Sequence, residues 1–235
     1  MRLILAIAMA VAFSVGVPVS GYAAVITGTL NTTGSARVTA TTIDFLPLAG
    51  GAGNFNIPVD DEGTGDFVGL SVGEIDGSIL DLTLPADPVG VVFSKPNFMT
   101  FTAFPGLSFE LTFIAPGVNG ACDANNCTPP GSPFNLQNVA TGSTASFGVS
   151  GKVTDGSGDP ASVFTGTFTT QFDDLSYQEV LAMFEAQGFI QSSYSAQFTV
   201  RPSGSVPEIP EPATMFLFGA GILGLGLIKR RSAKA

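Results

Sequence analysis

Alternation of apolar and polar residues at a period of two is the feature that most restricts the fold of this chain. In residues 107–113, two Leu and two Phe alternate with Ser, Glu and Thr, the pattern of a strand buried on one face. The same period recurs in residues 164–172 and 194–200. Weaker strand candidates are Val25–Leu30, Leu80–Leu84 and Phe147–Val149. Because Gly, Pro, Asn and Asp clusters separate these segments, the sequence predicts an all-β domain, either a β-sandwich or a jelly-roll-like fold.

One segment, about residues 176–188, predicts a short helix instead. Ser176 and Glu179 have the spacing of a capping box, and Gly188 suits the C-terminal cap. Four apolar residues then share one helical face: Tyr177, Val180, Leu181 and Phe184. We expect this helix to close one end of the sandwich.

The middle of the chain, residues 24–205, is long enough for one β-rich domain with its own core, although two smaller domains are an alternative. This part has four basic residues against seventeen acidic ones, a formal charge of −13. Such a charge repels phosphate backbones and anionic lipids. We therefore expect no nucleic acid among the partners.

The first residues have the features of a secretory signal. Arg2 precedes the apolar stretch Leu3–Val17, and the small residues Gly21 and Ala23 occupy the positions that signal peptidase requires. The stretch is too short to favour an uncleaved membrane anchor. We expect a signal peptide at residues 1–23, with the Sec translocon and signal peptidase as partners.

The last residues contain a second apolar segment, Ala213–Ile228, without a charged residue. As a helix it would be about 24 Å long at about 1.5 Å per residue, shorter than the roughly 30 Å hydrocarbon core. Lys229, Arg230 and Arg231 follow and would remain on the cytoplasmic side. The pattern predicts a marginal transmembrane helix at 213–228, either a permanent anchor or a removable signal.

Pro210, Glu211 and Pro212 stand just before this helix. Together with the short Gly-rich apolar run and the basic residues after it, they resemble the PEP-CTERM sorting signal of Gram-negative bacteria, over residues 206–235. The resemblance implies that an exosortase-like membrane transpeptidase cleaves near Pro-Glu-Pro and releases or re-attaches the body at the cell surface. It further implies a precursor held transiently in the inner membrane. The residues that it assigns to recognition and to the basic stop are Pro210, Glu211, Pro212, Lys229, Arg230 and Arg231.

Cys122 and Cys127 lie close together in a loop rich in Pro and Gly. In an exported protein, two such cysteines are expected to form a disulfide with each other. Because the ring is short, the loop-entropy model gives only a modest stabilisation. A redox or metal role is the lesser alternative.

Acidic clusters suggest one weak metal site. Carboxylates in a flexible loop suit Ca²⁺, but the spacing here is not that of a known calcium loop. The weak candidate ligands are Asp60, Asp61, Glu62 and Asp66. A second cluster, Asp155–Asp159, is explained by a hairpin turn between Gly151–Thr154 and Ala161–Phe164. Apart from possible calcium binding at the first cluster, we expect no cofactor.

Enzymatic activity is not expected. The chain has no His, which removes Ser-His-Asp and Cys-His nucleophile systems. The sequence also offers no pair of carboxylates that could be nominated for glycoside hydrolysis.

The expected function is that of an exported structural or adhesive component of the cell surface or extracellular matrix. The resemblance implies a link to exopolysaccharide and biofilm. The alternative is a surface-retained module that binds carbohydrate or calcium, and a secreted glycosidase is the third possibility.

Overall fold

The computed structural model describes residues 25–48, 50–61, 63–73, 75–157 and 162–203. The predicted signal peptide, the predicted transmembrane helix and the sorting signal lie outside these residues.

Strands make up most of the described chain, which confirms the all-β prediction. The twelve strands are β1 Gly28–Thr39, β2 Thr42–Phe45, β3 Ala52–Phe55, β4 Gly77–Leu80, β5 Leu82–Thr83, β6 Lys95–Phe101, β7 Ser108–Ile114, β8 Asn126–Cys127, β9 Asn135–Val139, β10 Gly142–Thr154, β11 Ser162–Asp173 and β12 Phe189–Pro202. Helix α1 spans Tyr177–Gln187, and a 3₁₀ turn spans Gly65–Phe67.

All the strands belong to one antiparallel sheet, in the order β3-β4-β6-β7-β10-β11-β12-β1-β2-β5, with β9 on β10 and β8 on β9. The long strands β10, β11, β12 and β1 form its centre. Val153 pairs with Ser162, so β10 and β11 form the predicted hairpin.

The sheet curls until distant strands meet across the core. Phe45 of β2 and Phe98 of β6 are six places apart in strand order, yet their ring centroids are 6.5 Å apart. Beyond β3, Asn56 exchanges two backbone hydrogen bonds of 2.8 Å with Thr33 of β1. A sandwich or jelly roll would have two sheets, whereas one continuous sheet encloses the core here. The alternation pattern could not distinguish these arrangements, because it specifies which face of a strand is buried and not where a sheet is interrupted.

Aromatic rings fill the core, and glycines on neighbouring strands make room for them. Gly166 of β11 pairs with Phe198 of β12, and an ideal Cβ at position 166 would lie 2.4 Å from a Phe198 ring carbon. Phe198 has no exposed surface and contacts Phe109, Phe164 and Phe168. The core therefore depends on pairing small residues with large ones across strands.

Helix α1 has the predicted bounds and caps. Ser176 Oγ accepts a hydrogen bond from the Glu179 N–H, the Glu179 carboxylate accepts from the Ser176 N–H, and Gly188 ends the helix with a φ of 76°. Tyr177 and Val180 are buried against β9, β10 and β12. The helix covers one end of the curled sheet only in part, because a cavity remains beside it.

The described termini lie at the other end of the sheet. Gly28, at the start of β1, pairs with Val200, and Pro202, at the end of β12, pairs with Ser162. At the helix end, in contrast, Thr39 pairs with Phe189. The last strand, which precedes the sorting signal in the sequence, therefore ends on the side of the sheet opposite to α1.

Candidate functional site

The predicted sorting residues, Pro210, Glu211, Pro212, Lys229, Arg230 and Arg231, lie outside the described residues. The described residues among the other predicted sites, Cys122, Cys127, Asp60, Asp61 and Asp66, lie in separate parts of the curled sheet and its loops, and the disulfide and the acidic cluster do not converge.

Cys122 and Cys127 form the predicted disulfide. Cys127, in β8, has no exposed surface. Between them, one carboxylate oxygen of Asp123 accepts hydrogen bonds from the N–H groups of Asn126, at 2.8 Å, and Asn125, at 2.7 Å. These bonds, that of Asn126 above all, lower the pKa of Asp123. The disulfide loop is thus a closed turn with internal hydrogen bonds.

This loop holds the start of α1, a connection that the sequence did not predict. The Tyr177 hydroxyl donates a hydrogen bond to the Asp123 carbonyl oxygen. The Tyr177 N–H donates to Asn138 Oδ1 at 2.7 Å, and Asn138 Nδ2 donates to the Ala124 carbonyl oxygen at 3.0 Å. The disulfide loop, β9 and the first turn of α1 therefore form one hydrogen-bonded unit.

Two acids of the first acidic cluster, Asp61 and Asp66, form hydrogen bonds that hold their loop against β1 and against the residue just before β1. Asp61 Oδ1 accepts a hydrogen bond of 2.9 Å from Asn31 Nδ2, and Asp66 Oδ2 accepts one of 2.7 Å from the Thr27 N–H. Asp60 is exposed, and Glu62 lies outside the described residues. Among the residues that the structure describes, no three metal-ligating side chains come together. Calcium binding at this cluster stays a prediction.

The second acidic cluster begins in the turn between β10 and β11. Asp155 Oδ1 accepts hydrogen bonds from Ser157 Oγ at 2.5 Å and from the Ser157 N–H at 2.9 Å. These bonds, chiefly the one from the hydroxyl, lower the pKa of Asp155. Asp159 lies outside the described residues. The contacts of Asp155 are those of an ordinary turn.

The outer surface of β11, β12 and β1 contains a patch of nine uncharged side chains, which we call the uncharged polar face. Cross-strand pairing aligns nine residues of β11, β12 and β1 in three rows: Thr165–Thr199–Thr29, Thr167–Gln197–Asn31 and Thr169–Ser195–Thr33. Neighbouring strands are about 4.8 Å apart, and alternate residues along a strand are about 6.8 Å apart. The face is therefore a regular array of hydroxyl and amide groups.

Several groups of this face are available to a partner. Within the described residues, the hydroxyls of Thr165, Thr167, Ser195 and Thr199 form no side-chain hydrogen bond, and all four residues are exposed. In the middle row, Gln197 Nε2 donates to Asn31 Oδ1 at 3.1 Å. Hydroxyls both donate and accept hydrogen bonds, so they can pair with other hydroxyl-rich surfaces.

An apolar cavity of about 450 Å³ opens at the α1 end of the sheet. Its walls come from α1, the turn between β1 and β2, residues 129–134 and the inner face of β10–β12. Tyr194, 7 % exposed, borders the cavity, and its hydroxyl has no hydrogen-bond partner among the described residues. Burial raises the pKa of Tyr194 well above its ordinary value, so the hydroxyl keeps its proton at neutral pH.

Comparison with known proteins matches one segment of the chain. Residues 208–231 match the family model of the PEP-CTERM protein-sorting motif. No curated protein and no solved structure gave a significant match. In the part of the chain that the structure describes, none of the helical segments has both the length and the apolar character needed to cross a bilayer.

The sorting match defines the class of protein. The chain carries a PEP-CTERM sorting motif, which confirms the resemblance seen in the sequence. The motif implies export, a membrane-anchored precursor, and recognition by exosortase, a membrane transpeptidase that processes the precursor for the cell surface. The motif thus implies an exosortase-processed surface protein, and the described body is all-β.

Proposed function

We propose that the protein is a non-catalytic component of the extracellular matrix that adheres to exopolysaccharide through the uncharged polar face. The observation that carries the proposal is the array of hydroxyl and amide side chains in three rows on the uncharged polar face. The sorting motif supports it, because the motif implies that the protein is delivered to the cell surface. Adhesion of this kind would make the protein part of a biofilm or floc.

The chemistry of the face suits a polysaccharide. Each sugar hydroxyl donates and accepts hydrogen bonds, as do Thr and Ser hydroxyls, and the Gln197 amide offers both kinds of group. A repeating array can form many such bonds at once. Bonds that are individually weak then give avidity along a polymer.

Charge favours an uncharged polysaccharide. The body has a formal charge of −13, which repels an anionic polymer, whereas the nine positions of the face contain no acid. A neutral glycan therefore meets a single type of obstacle at the edge of the face, the Asp61 carboxylate, which already accepts a hydrogen bond from Asn31. We expect adhesion to weaken as the anionic character of the polymer rises.

Two buried carboxylates support a non-catalytic body, because both are engaged in holding loops. Asp76 is fully buried and accepts hydrogen bonds from the N–H groups of Ile57, at 2.6 Å, and Val72, at 2.5 Å. Asp87 is 4 % exposed and forms an ion pair of 2.8 Å with Lys95. Both carboxylates therefore have a structural role, because hydrogen bonds or an ion pair already occupy them.

A matched pair of charge variants tests the proposal. Gln197→Glu places a carboxylate in the middle row of the face with almost no change of shape. Gln187→Glu makes the same change at an exposed position at the end of α1. The measurement is co-sedimentation of the processed protein with neutral exopolysaccharide from the exporting cells. We expect Gln197→Glu to reduce the bound fraction several-fold and Gln187→Glu to leave it unchanged.

A second variant separates hydroxyl loss from charge. Thr165→Val combined with Thr199→Val removes two hydroxyls while preserving side-chain shape and strand propensity. We expect weaker binding and unchanged melting. Equal binding by the unmodified protein, the double variant and Gln197→Glu would rule out the face as the adhesive surface.

A further inference from the structure

The cavity at the α1 end is separate from the uncharged polar face, because it opens against the inner face of β10–β12. Its volume of about 450 Å³ lies within the range of small-molecule sites, roughly 300–1,000 Å³. A space of this size suits one small molecule.

Aromatic side chains form much of the cavity wall, among them Phe45, Phe147, Phe168 and Phe184. Phe147 and Phe168 stack with ring centroids 4.7 Å apart, and Phe45 contacts Phe168 at a centroid distance of 5.8 Å. Because these rings pack against one another, this part of the wall is preformed. Such a lining favours an apolar occupant.

Most half-buried polar side chains of the wall are engaged with each other. The hydroxyls of Thr39 and Thr42 share a hydrogen bond of 2.7 Å, and those of Thr170 and Ser192 share another of 2.7 Å. An occupant that buried a polar group here would have to break such a pair or leave its own group unpaired, and both are unfavourable. The wall therefore selects against a buried polar group.

Tyr194 contributes its ring to the wall but not its hydroxyl. The hydroxyl oxygen packs against Gly34 of β1, 2.6 Å from the position of an ideal Cβ there. Gly34 does not line the cavity, so this O–H points away from an occupant. Binding in the cavity must therefore come from apolar contact.

Charge restricts the occupant further. Asp87 borders the cavity, and its carboxylate is already paired with Lys95 at 2.8 Å. An anionic occupant would meet this carboxylate and the negative charge of the body, since the one cation beside Asp87 is taken. The cavity therefore favours an uncharged molecule.

We propose that this cavity binds one uncharged hydrocarbon chain, such as that of a medium-chain alcohol, by apolar contact alone, with any polar end of the molecule left at the mouth. The protein would then retain an apolar small molecule in addition to its surface role. Each methylene buried in the cavity is expected to raise the affinity about fourfold, which corresponds to about 0.8 kcal/mol.

The chain contains no Trp, so a single introduced Trp reports on the cavity. Phe184→Trp places an indole in the α1 wall, at a half-buried position where a large ring already stands. The processed Phe184→Trp protein is titrated at neutral pH, without detergent, with 1-hexanol, 1-octanol and octanoate. We expect a saturable change in Trp emission, about fifteenfold tighter binding of octanol than of hexanol, and at least tenfold weaker binding of octanoate than of octanol.

Filling the cavity from its wall tests whether the chain lies inside it. Ala36→Leu and Ala145→Leu, each in the Phe184→Trp background, enlarge two small buried residues of the wall that lie on different strands. Either variant should weaken octanol binding at least tenfold. Ala182→Leu is the matched control, because it makes the same change at an exposed position of α1 that does not line the cavity. Thermal melting identifies a filling variant that fails to fold, and the other variant then decides.

Native mass spectrometry of the unmodified protein with octanol gives a readout that does not depend on the Trp. A one-to-one complex is expected. The proposal is overturned if octanol gives neither a saturable signal nor a complex, or if hexanol or octanoate binds as tightly as octanol. It is also overturned if a folded filling variant binds octanol as tightly as the Ala182→Leu control.

Discussion

The ring of Tyr194 occupies the space that a side chain at Gly34 would fill. The two residues pair directly across β12 and β1, and an ideal Cβ at position 34 would lie 2.6 Å from the Tyr194 hydroxyl oxygen. The Tyr194 ring in turn contacts Phe45 and Phe168, at centroid distances of 5.5 and 5.4 Å. One glycine therefore allows the aromatic cluster at the wall of the cavity to form.

Gly34→Ala is expected to destabilise the protein by about 1–3 kcal/mol, because the added methyl group forces the Tyr194 ring out of its position. Gly148→Ala is the matched control. It is also a strand glycine, but its Cβ would meet Ala115 at 3.6 Å, an ordinary contact. Denaturant unfolding of both variants measures the difference. Equal losses of stability would contradict the role given to Gly34.

The sequence predicted the strands whose buried positions are large and apolar. The alternation in residues 107–113 matches β7 to within one residue, and that in 164–172 and 194–200 falls within β11 and β12. The capping box predicted α1 with its correct first residue. Each of these signals involves residues that are close together in the sequence, so the sequence alone was enough to detect it.

The extent of β1 was not predicted, for a physical reason. Its inward positions include Thr32, Gly34 and Ala36, which give no apolar signal, although Thr32 is only 1 % exposed. Their burial depends on large neighbours such as Tyr194 on another strand. Strand β6 was also missed, since it contains Pro96 and an irregular register next to β7.

The two candidate sites depend on pairing between distant segments. The alternation in residues 164–172 and 194–200 put their polar residues on the face opposite to the core, but only the register of β11, β12 and β1 aligns these residues in rows with those of β1. The cavity is lined by segments that are far apart in the sequence, from β1 to β12, so no local sequence pattern could predict it.

Lys95→Ala is expected to lower the free energy of unfolding by about 3 kcal/mol, because it leaves the buried Asp87 carboxylate without its cation. The Thr83 N–H still donates to this carboxylate at 2.8 Å, which keeps the loss at the lower end of the usual range. Lys152→Ala, at an exposed position on β10, should change stability by less than about 0.5 kcal/mol. Urea titration compares the two, and a similar loss in both would mean that the ion pair is not stabilising.

The start of α1 is expected to loosen in acid. Hydrogen bonds from the Ser176 hydroxyl, and secondarily from its N–H, lower the pKa of Glu179 below its ordinary value of 4.5. Because the folded pKa is lowered, the stabilisation is complete above pH 4.5 and is lost as the pH falls through the lowered value. Glu179→Gln removes this carboxylate and should flatten the pH dependence.

Amide exchange of α1 between pH 6 and pH 3, corrected for intrinsic rates, measures this effect. A smaller dependence should remain in the variant, since the pKa of Asp123 is lowered too and its loop contacts α1. An identical pH profile in the unmodified protein and in Glu179→Gln would show that the capping carboxylate does not control the helix start.

Removal of the disulfide is expected to affect α1 more than the sheet. Cys122→Ala with Cys127→Ala frees the loop that holds Tyr177, and the short ring predicts a loss of about 2 kcal/mol in the loop-entropy model. Amide exchange should increase at the disulfide loop and the first turn of α1. The centre of the sheet, β10–β12, should keep its protection. Uniform loss of protection would contradict a local role, and reduction of the unmodified protein should reproduce the variant.

The sorting motif contains a matched pair of acids that tests which residues the transpeptidase recognises. Glu211 lies between Pro210 and Pro212, whereas Glu208 lies at the start of the matched segment. By resemblance, recognition depends on the Pro-Glu-Pro residues, so Glu211→Ala should block cleavage while Glu208→Ala should not. The change in charge is the same in both variants, which excludes a general electrostatic effect on membrane targeting.

Intact mass of the recovered protein is the measurement: the Glu211→Ala product should retain Arg231 and fractionate with the inner membrane, and the Glu208→Ala product should lack the basic stop. Complete processing of both variants would contradict this prediction. It would mean that the enzyme recognises the apolar helix and its basic stop and does not require Glu211.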